Sequence, residues 1–216
     1  MKIEIWSDVM CPFCYIGKRR LEGALEGFPH KDEVEIVWKS FQLNPDMQTE
    51  PGKSITDYLA EKKGWSREQT QQAHARLTQS AKDLGLHYDF DKAVVANSFD
   101  AHRLVQLAKT LGLGDAMEER LFKAYFSEGG NIADHATLAG LAKDAGLPAA
   151  DVRKVLESDA FTEEVRRDVD EARQIGVTGV PFFVMDRKYA VSGAQETQVF
   201  LKALEKAYGE SGRESA

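Results

Sequence analysis

Ile5-Trp6-Ser7-Asp8-Val9-Met10-Cys11-Pro12-Phe13-Cys14-Tyr15-Ile16-Gly17 is the stretch on which the fold turns. Just upstream, Lys2 to Trp6 alternates apolar and polar side chains, the period of a strand. Ser7 and Asp8 break that alternation. Downstream, Leu21, Leu25 and Phe28 recur at helical spacing, and Pro29 closes the run. Pro12 suits the first helical position, where its missing N–H leaves no bond unmade. Cys11 then lies at the helix N-terminus and should be exposed, with Cys14 about one turn in and more covered. Glu33 to Phe41 reads as a second strand, with Val34, Ile36 and Trp38 on one face. Residues 1–41 therefore predict a βαβ unit.

Further out, Asn44 to Lys53 is loop-like, with Pro45, Pro51 and Gly52, and a long stretch without convincing strands follows. Ser66-Arg67-Glu68-Gln69 has the spacing of a capping box. Ala101, Leu104, Val105, Ala108 and Leu111 form one apolar helical stripe. Asp134 can cap a helix that Gly146 closes, and Pro148 can open the next. Strands return at Phe182–Met185 and Tyr189–Ser192, joined as a hairpin through Asp186-Arg187-Lys188, and a last helix spans Gln195 to Tyr208. The order βαβ, helices, ββα predicts an α/β fold: a four-stranded mixed sheet built from 1–48 and 172–210, an all-helical domain inserted over 49–171, and a polar tail at 211–216. A groove between two such domains is the natural place for a ligand.

Composition narrows the function classes. Lys and Arg total 28 against 35 Asp and Glu, a formal charge of -7, with no basic tract, which argues against a nucleic-acid partner. No apolar run approaches the roughly 20 residues that span a bilayer. Met1 to Trp6 lacks the charged and apolar regions of a signal peptide, so the expected compartment is the cytoplasm and no membrane partner is expected. The chain has 2 cysteines, too few for a secreted disulfide scaffold.

A C-x-x-C at a strand-to-helix turn has a redox logic. The thiolate is the nucleophile, and a helix N-terminus favours an anion. Cys11 would attack a substrate disulfide and Cys14 would resolve the mixed disulfide, or the pair would run in reverse. Three other roles compete: half of a zinc site, buried core cysteines, and a passive structural bridge. No two of His30, His74, His87, His102 and His135 have the spacing of zinc ligands, so no metal is expected. Gly176-Val177-Thr178-Gly179-Val180-Pro181 leads into a strand, where Pro181 is either cis or an ordinary trans strand opener. In the cis form, the Val180 N–H and C=O would face an extended substrate beside Cys11.

Four segments together resemble DsbA-family thioredoxin-like oxidoreductases, specifically the FrnE-like branch. They are Ile5 to Gly17, Asn97-Ser98-Phe99-Asp100-Ala101-His102-Arg103-Leu104, Tyr125-Phe126-Ser127-Glu128-Gly129-Gly130-Asn131-Ile132, and Gly176 to Phe183 with Ser192-Gly193-Ala194-Gln195 after it. The resemblance implies a thioredoxin-like fold carrying a helical insert, a cis Pro181, Cys11 as nucleophile and Cys14 as resolving cysteine. It implies no tightly bound cofactor beyond the redox-active Cys11–Cys14 pair. It further suggests that Asn97 faces the substrate groove.

Two departures bear on function. Phe13 stands where many relatives place a histidine, and it offers no hydrogen bond to a thiolate. Ile5 stands where they bury an acid, and the acid closest to the motif is Asp8, a proton relay or simply a cap on the turn. The expected potential lies between about -270 mV for thioredoxin and about -120 mV for DsbA. His102 is weighed as a base against a packing histidine, and Phe13, Tyr15 and Phe182 as an apolar rim against core. The leading function is a protein dithiol–disulfide oxidoreductase or isomerase, with disulfide- or thiol-bearing proteins and glutathione as partners. A homodimer through the insert is also expected. The rivals are a glutathione-dependent isomerase or transferase of the hydroxychromene-carboxylate or kappa-class type, which usually carry serine at the nucleophile position, and a non-catalytic binding or chaperone module.

Overall fold

The computed structural model describes residues 1–211. In chain order it contains β1 (Lys2–Ser7), α1 (Pro12–Glu26), β2 (Glu35–Ser40), β3 (Glu50–Ser54), α2 (Ile55–Lys63), α3 (Arg67–Lys82), β4 (Val94–Val95), α4 (Phe99–Thr110), α5 (Gly114–Lys123), α6 (His135–Asp144), α7 (Ala149–Leu156), α8 (Thr162–Gln174), β5 (Phe182–Met185), β6 (Tyr189–Ser192) and α9 (Thr197–Ser211). The tail expected at 211–216 falls outside the described residues from 212 on. Among the described residues no helix is long and apolar enough to cross a membrane.

The first compact unit comprises Met1–Leu43 and the chain from Val165 on. Its sheet runs β2-β1-β5-β6, parallel between β1 and β2 and antiparallel elsewhere. β1 is a central strand, with Ile5 opposite Trp38 on one side and Phe183 on the other. It is covered on both faces. Ile3, Ile5 and Trp6 are buried, and so is Glu4, which the alternation would have left in water. Phe183 meets Phe200 of α9 edge-on at 4.7 Å. Trp6 and Val184 pack with Ala172 of α8 and Val177.

A charged layer ties α8 into the sheet. The Trp6 indole Nε1 donates to Asp168 O at 2.9 Å, and Ser40 N donates to Asp168 Oδ2 at 3.0 Å. Lys39 Nζ bridges Asp168 and Glu171, each at 2.8 Å. Arg187 reaches both Glu4 and Glu171. Burial works to lower the Lys39 pKa, but the hydrogen bonds of Asp168 and Glu171 overcome it and hold the value above the ordinary lysine range. These bonds begin near the middle of α8, which is why the unit starts at Val165 and not at the expected 172.

The second unit is Asn44–Glu164. It is helical apart from an antiparallel ribbon of β3 and β4. That ribbon escapes a reading by alternation, because β3 contains Pro51 and Gly52 and β4 is two residues long. The Ser66–Gln69 capping box is present, and Asp134 caps α6 by accepting from Thr137 N. Pro148 stands one residue earlier than expected, as the N-cap of α7. On α4, Ala101, Leu104, Val105 and Ala108 are core, while Leu111 at the C-cap is 43% exposed. After α5 the chain makes a π turn over Ala124–Glu128 and stops at Gly129, whose φ is 74°. A side chain at Gly129 would meet Lys92 O at 2.9 Å, so both the backbone angle and the space demand glycine.

Candidate active site

α1 starts with Pro12 at its first position and Cys11 as N-cap, in extended conformation (φ -87°, ψ 111°). The approach is a tight turn: Cys11 N donates to Asp8 O at 2.9 Å, and Cys14 N donates to Cys11 O at 3.0 Å. Both cysteines are unbridged thiols. The Val180–Pro181 bond is cis, and the Cys11 Sγ lies 3.5 Å from Val180 O, its hydrogen-bond acceptor. That contact corrects one expectation. Cys11 is not open to solvent but 4% exposed, with Cys14 deeper still at 1%.

Burial pushes the Cys14 thiol well above its ordinary value, and the hydrogen bond and charge of Cys11 push the same way. The Asp8 backbone and the Ser7 hydroxyl, both bonded to the Cys14 sulfur, pull against this without overcoming it. Asp8 is itself fully buried. Its Oδ1 accepts from Met10 N at 3.3 Å and its Oδ2 from Leu43 N at 2.8 Å. The carboxylate therefore caps the turn before Cys11 and fastens it to the chain leaving β2.

Phe13 and Leu43 are the apolar side chains left in water here, about half exposed each. Tyr15 is core, with Arg19 over its ring at 4.9 Å, and Phe182 is half-buried against the Trp6 cluster. The apolar rim expected of three aromatics thus reduces to Phe13. Sequence reasoning passed over two contributors. Gly17 sits on α1 where a Cβ would come within 3.0 Å of Pro181 Cγ and 3.1 Å of Phe183 Cζ. A glycine inside a helix is unfavourable by about 1 kcal/mol relative to alanine, and that mismatch was the available signal. Ser7, buried at the end of β1 and among the groups that pull the Cys14 pKa down, is marked in the sequence only by a break in the strand.

Ser7, Asp8, Cys11, Cys14, Gly17, Val180 and Pro181 thus come together in the sheet unit. Asn97 and His102 belong to the helical unit. Asn97 Nδ2 donates to Pro45 O at 3.1 Å and Met47 O at 2.9 Å, while its Oδ1 accepts from Phe99 N at 2.9 Å. Its amide therefore clamps the 45–47 loop of its own unit. His102 is 1% exposed on α4, in the interior of that unit. Arg103 donates to the Val155, Ser158 and Ala160 carbonyls and to Asp100, which also receives His135 at 2.9 Å.

The DSBA-like thioredoxin domain model matches residues 2–205. The chain belongs to that family. A probable DsbA oxidoreductase from Streptomyces coelicolor has a solved structure that is 44% identical, with a TM-score of 0.91, covering 97% of this chain and 91% of the other. The uncharacterized protein YwbO of Bacillus subtilis (strain 168) is 29% identical over 210 residues, 94% of each chain. The cytosolic disulfide reductase DsbM from Pseudomonas aeruginosa, solved also with GSH, shares the fold at 20% identity and a TM-score of 0.63, each chain covered in full. The thioredoxin-like α/β fold expected of this DSBA-like chain is thereby established.

Proposed function

We propose that this chain is a protein dithiol–disulfide oxidoreductase with Cys11 as nucleophile and Cys14 as resolving cysteine. The observation that carries the proposal is Cys11 standing as N-cap of a proline-started helix, its sulfur 3.5 Å from the carbonyl that precedes cis Pro181. The Cys11 thiolate attacks a substrate disulfide and expels one substrate thiolate. Cys14 then attacks the Cys11 sulfur, expels the second thiolate and closes the Cys11–Cys14 bond. Two electrons pass to the substrate, and an external dithiol or glutathione returns them; run backwards, the cycle oxidises. The half-buried Val180, beside Cys11, offers backbone groups on which an extended substrate can pair. Phe13 and Leu43 favour a peptide with apolar side chains. The complex of DsbM with GSH supports glutathione as co-substrate, and the cytosolic designation of that relative supports the same compartment here.

Cys14→Ser provides the test. The variant should lose insulin-disulfide reduction and retain proteins from its own cell extract as mixed disulfides on Cys11. Unchanged turnover of a small electrophile with glutathione by Cys14→Ser would instead establish the isomerase or transferase function. Cys11→Ser without any consequence would leave a binding module.

A further inference from the structure

We infer that Arg20 is a positioning residue of the proposed exchange reaction: from α1 it holds the turn that follows β6, and through that turn the Val180–Pro181 segment on which an extended substrate pairs. The inference rests on the roles proposed above for Cys11 and Val180. All the residues concerned belong to the sheet unit.

The ladder between β5 and β6 ends with Phe182 opposite Ser192. One further bond continues it: Gly193 N donates to Pro181 O at 2.8 Å. Pro181 therefore takes its place from a turn that starts where β6 stops. Gly193 makes that turn at a φ of 78°, an angle that side chains disfavour. A Cβ there would meet nothing closer than Gln195 Nε2 at 3.9 Å, so the angle and not the space demands glycine.

The carbonyls of the turn are bonded one after another. Gln195 Nε2 donates to Ser192 O at 2.9 Å and Gln195 N to Gly193 O at 3.0 Å, both from within the turn. Ala194 O accepts instead from α1, from Arg20 Nη1 at 2.5 Å. Arg20 Nη2 also pairs with Glu196 at 2.7 Å. These two bonds differ in weight. Glu196 is 76% exposed, where water screens an ion pair. The bond to Ala194 O joins a carbonyl to a charged donor whose side chain is only 19% exposed, and charge-assisted bonds are stronger than neutral ones.

Arg20 lies about two and a half turns along the helix that Cys11 caps. α1 thus carries the nucleophile at its start. Further on, through Arg20, Ala194, Gly193 and Pro181, it fixes the Val180 carbonyl that stands 3.5 Å from the Cys11 sulfur. Gly17, between the two on α1, leaves the room that lets Pro181 come close. Arg20 keeps the segment from drifting away. Without that bond the sulfur keeps its chemistry, but the backbone on which a substrate chain must pair is no longer held in place. The loss then falls on substrates that have a backbone.

A pair of disulfides separates this role from a merely structural one. Insulin has peptide groups to pair with Val180, and hydroxyethyl disulfide has none. With dithiothreitol as reductant, Arg20→Ala should raise the KM for insulin about fivefold, as for loss of one hydrogen bond. Its kcat, and the turnover of hydroxyethyl disulfide, should stay within about twofold of the parent. Arg20→Lys, which can still donate to Ala194 O, should return the insulin KM toward the parent's value. Gly193→Ala disturbs the turn without touching Arg20 and should copy Arg20→Ala, so a folding failure of Arg20→Ala does not shelter the inference. An insulin KM equal to the parent's in these variants, or an equal loss on both disulfides, overturns the role of Arg20 and leaves the proposed function standing. A parent chain that reduces neither disulfide overturns both.

Discussion

The segments Ser7–Gly17 and Asn97–Leu104 both bury polar or ionisable side chains, yet they use them in opposite ways. In Asn97–Leu104 the side chains of Asn97 and Arg103 are strong hydrogen bonders matched to backbone partners. Asn97 holds the 45–47 loop, and Arg103 gathers the carbonyls at the end of α7. In Ser7–Gly17 the buried atoms that matter are two sulfurs, weak hydrogen bonders that can change charge. One faces a carbonyl at 3.5 Å and the other rests on a hydroxyl and an amide. A strong donor in a dry place fixes structure, whereas a sulfur there keeps a changeable charge state that its neighbours and its burial tune. A signature segment is therefore no indication of chemistry until the partners of its polar atoms are known.

The largest effect should come from Cys11→Ser. Insulin-disulfide reduction should drop to the uncatalysed background, while denaturant unfolding changes by less than about 1 kcal/mol, because a small buried side chain is replaced by one of similar size. Arg103→Ala should do the reverse. It leaves the carbonyls of Val155, Ser158 and Ala160 without their donor, and stability should fall by about 3 kcal/mol. Exchange per folded molecule should be unchanged, and a parallel loss of both in Arg103→Ala would break the comparison.

Gly17→Ala sharpens the comparison from within the cysteine segment. The added methyl meets Pro181 at 3.0 Å and Phe183 at 3.1 Å, an overpacking cost of about 1–3 kcal/mol against about 1 kcal/mol regained in helix propensity. A net loss of about 1 kcal/mol in urea unfolding, with slower attack by Cys11, is the expected result. The smallest effect concerns pH. Burial on α3 holds the His74 pKa below its ordinary value, with Asp91 pulling weakly the other way. The folded chain prefers the neutral ring, so this contribution is complete above the unfolded value near ~6.5 and is lost as pH falls below it and through the lower folded value. Thermal unfolding of the parent should soften on acidification over that range, and His74→Gln should flatten that part of the curve.

The sequence made the sheet unit legible where local rules act alone. The alternation of β1, Pro12 at the start of α1 and the hairpin of β5 and β6 follow from side-chain period and proline geometry, and the structure places them where those rules do. What stayed hidden depends on contacts distant along the chain. Glu4 is buried because Arg187 comes to it from beyond β5. Cys11 is covered because Val180 lies over its sulfur. The boundary of the sheet unit falls at Val165 because Asp168 bonds to Trp6 and Ser40.

The 3 tryptophans are divided unevenly between the units. Trp6 and Trp38 are at most 2% exposed in the sheet, whereas Trp65, beyond α2, is 43% exposed. Intrinsic emission should therefore be blue-shifted mainly by the two sheet tryptophans, with Trp65 the most exposed to water. An emission shift during denaturation should track mainly the loss of the sheet, while far-ultraviolet dichroism weights the helices. Superimposable optical curves would mean that both units melt as one body, and separated curves would assign each transition to its unit without labelling the protein.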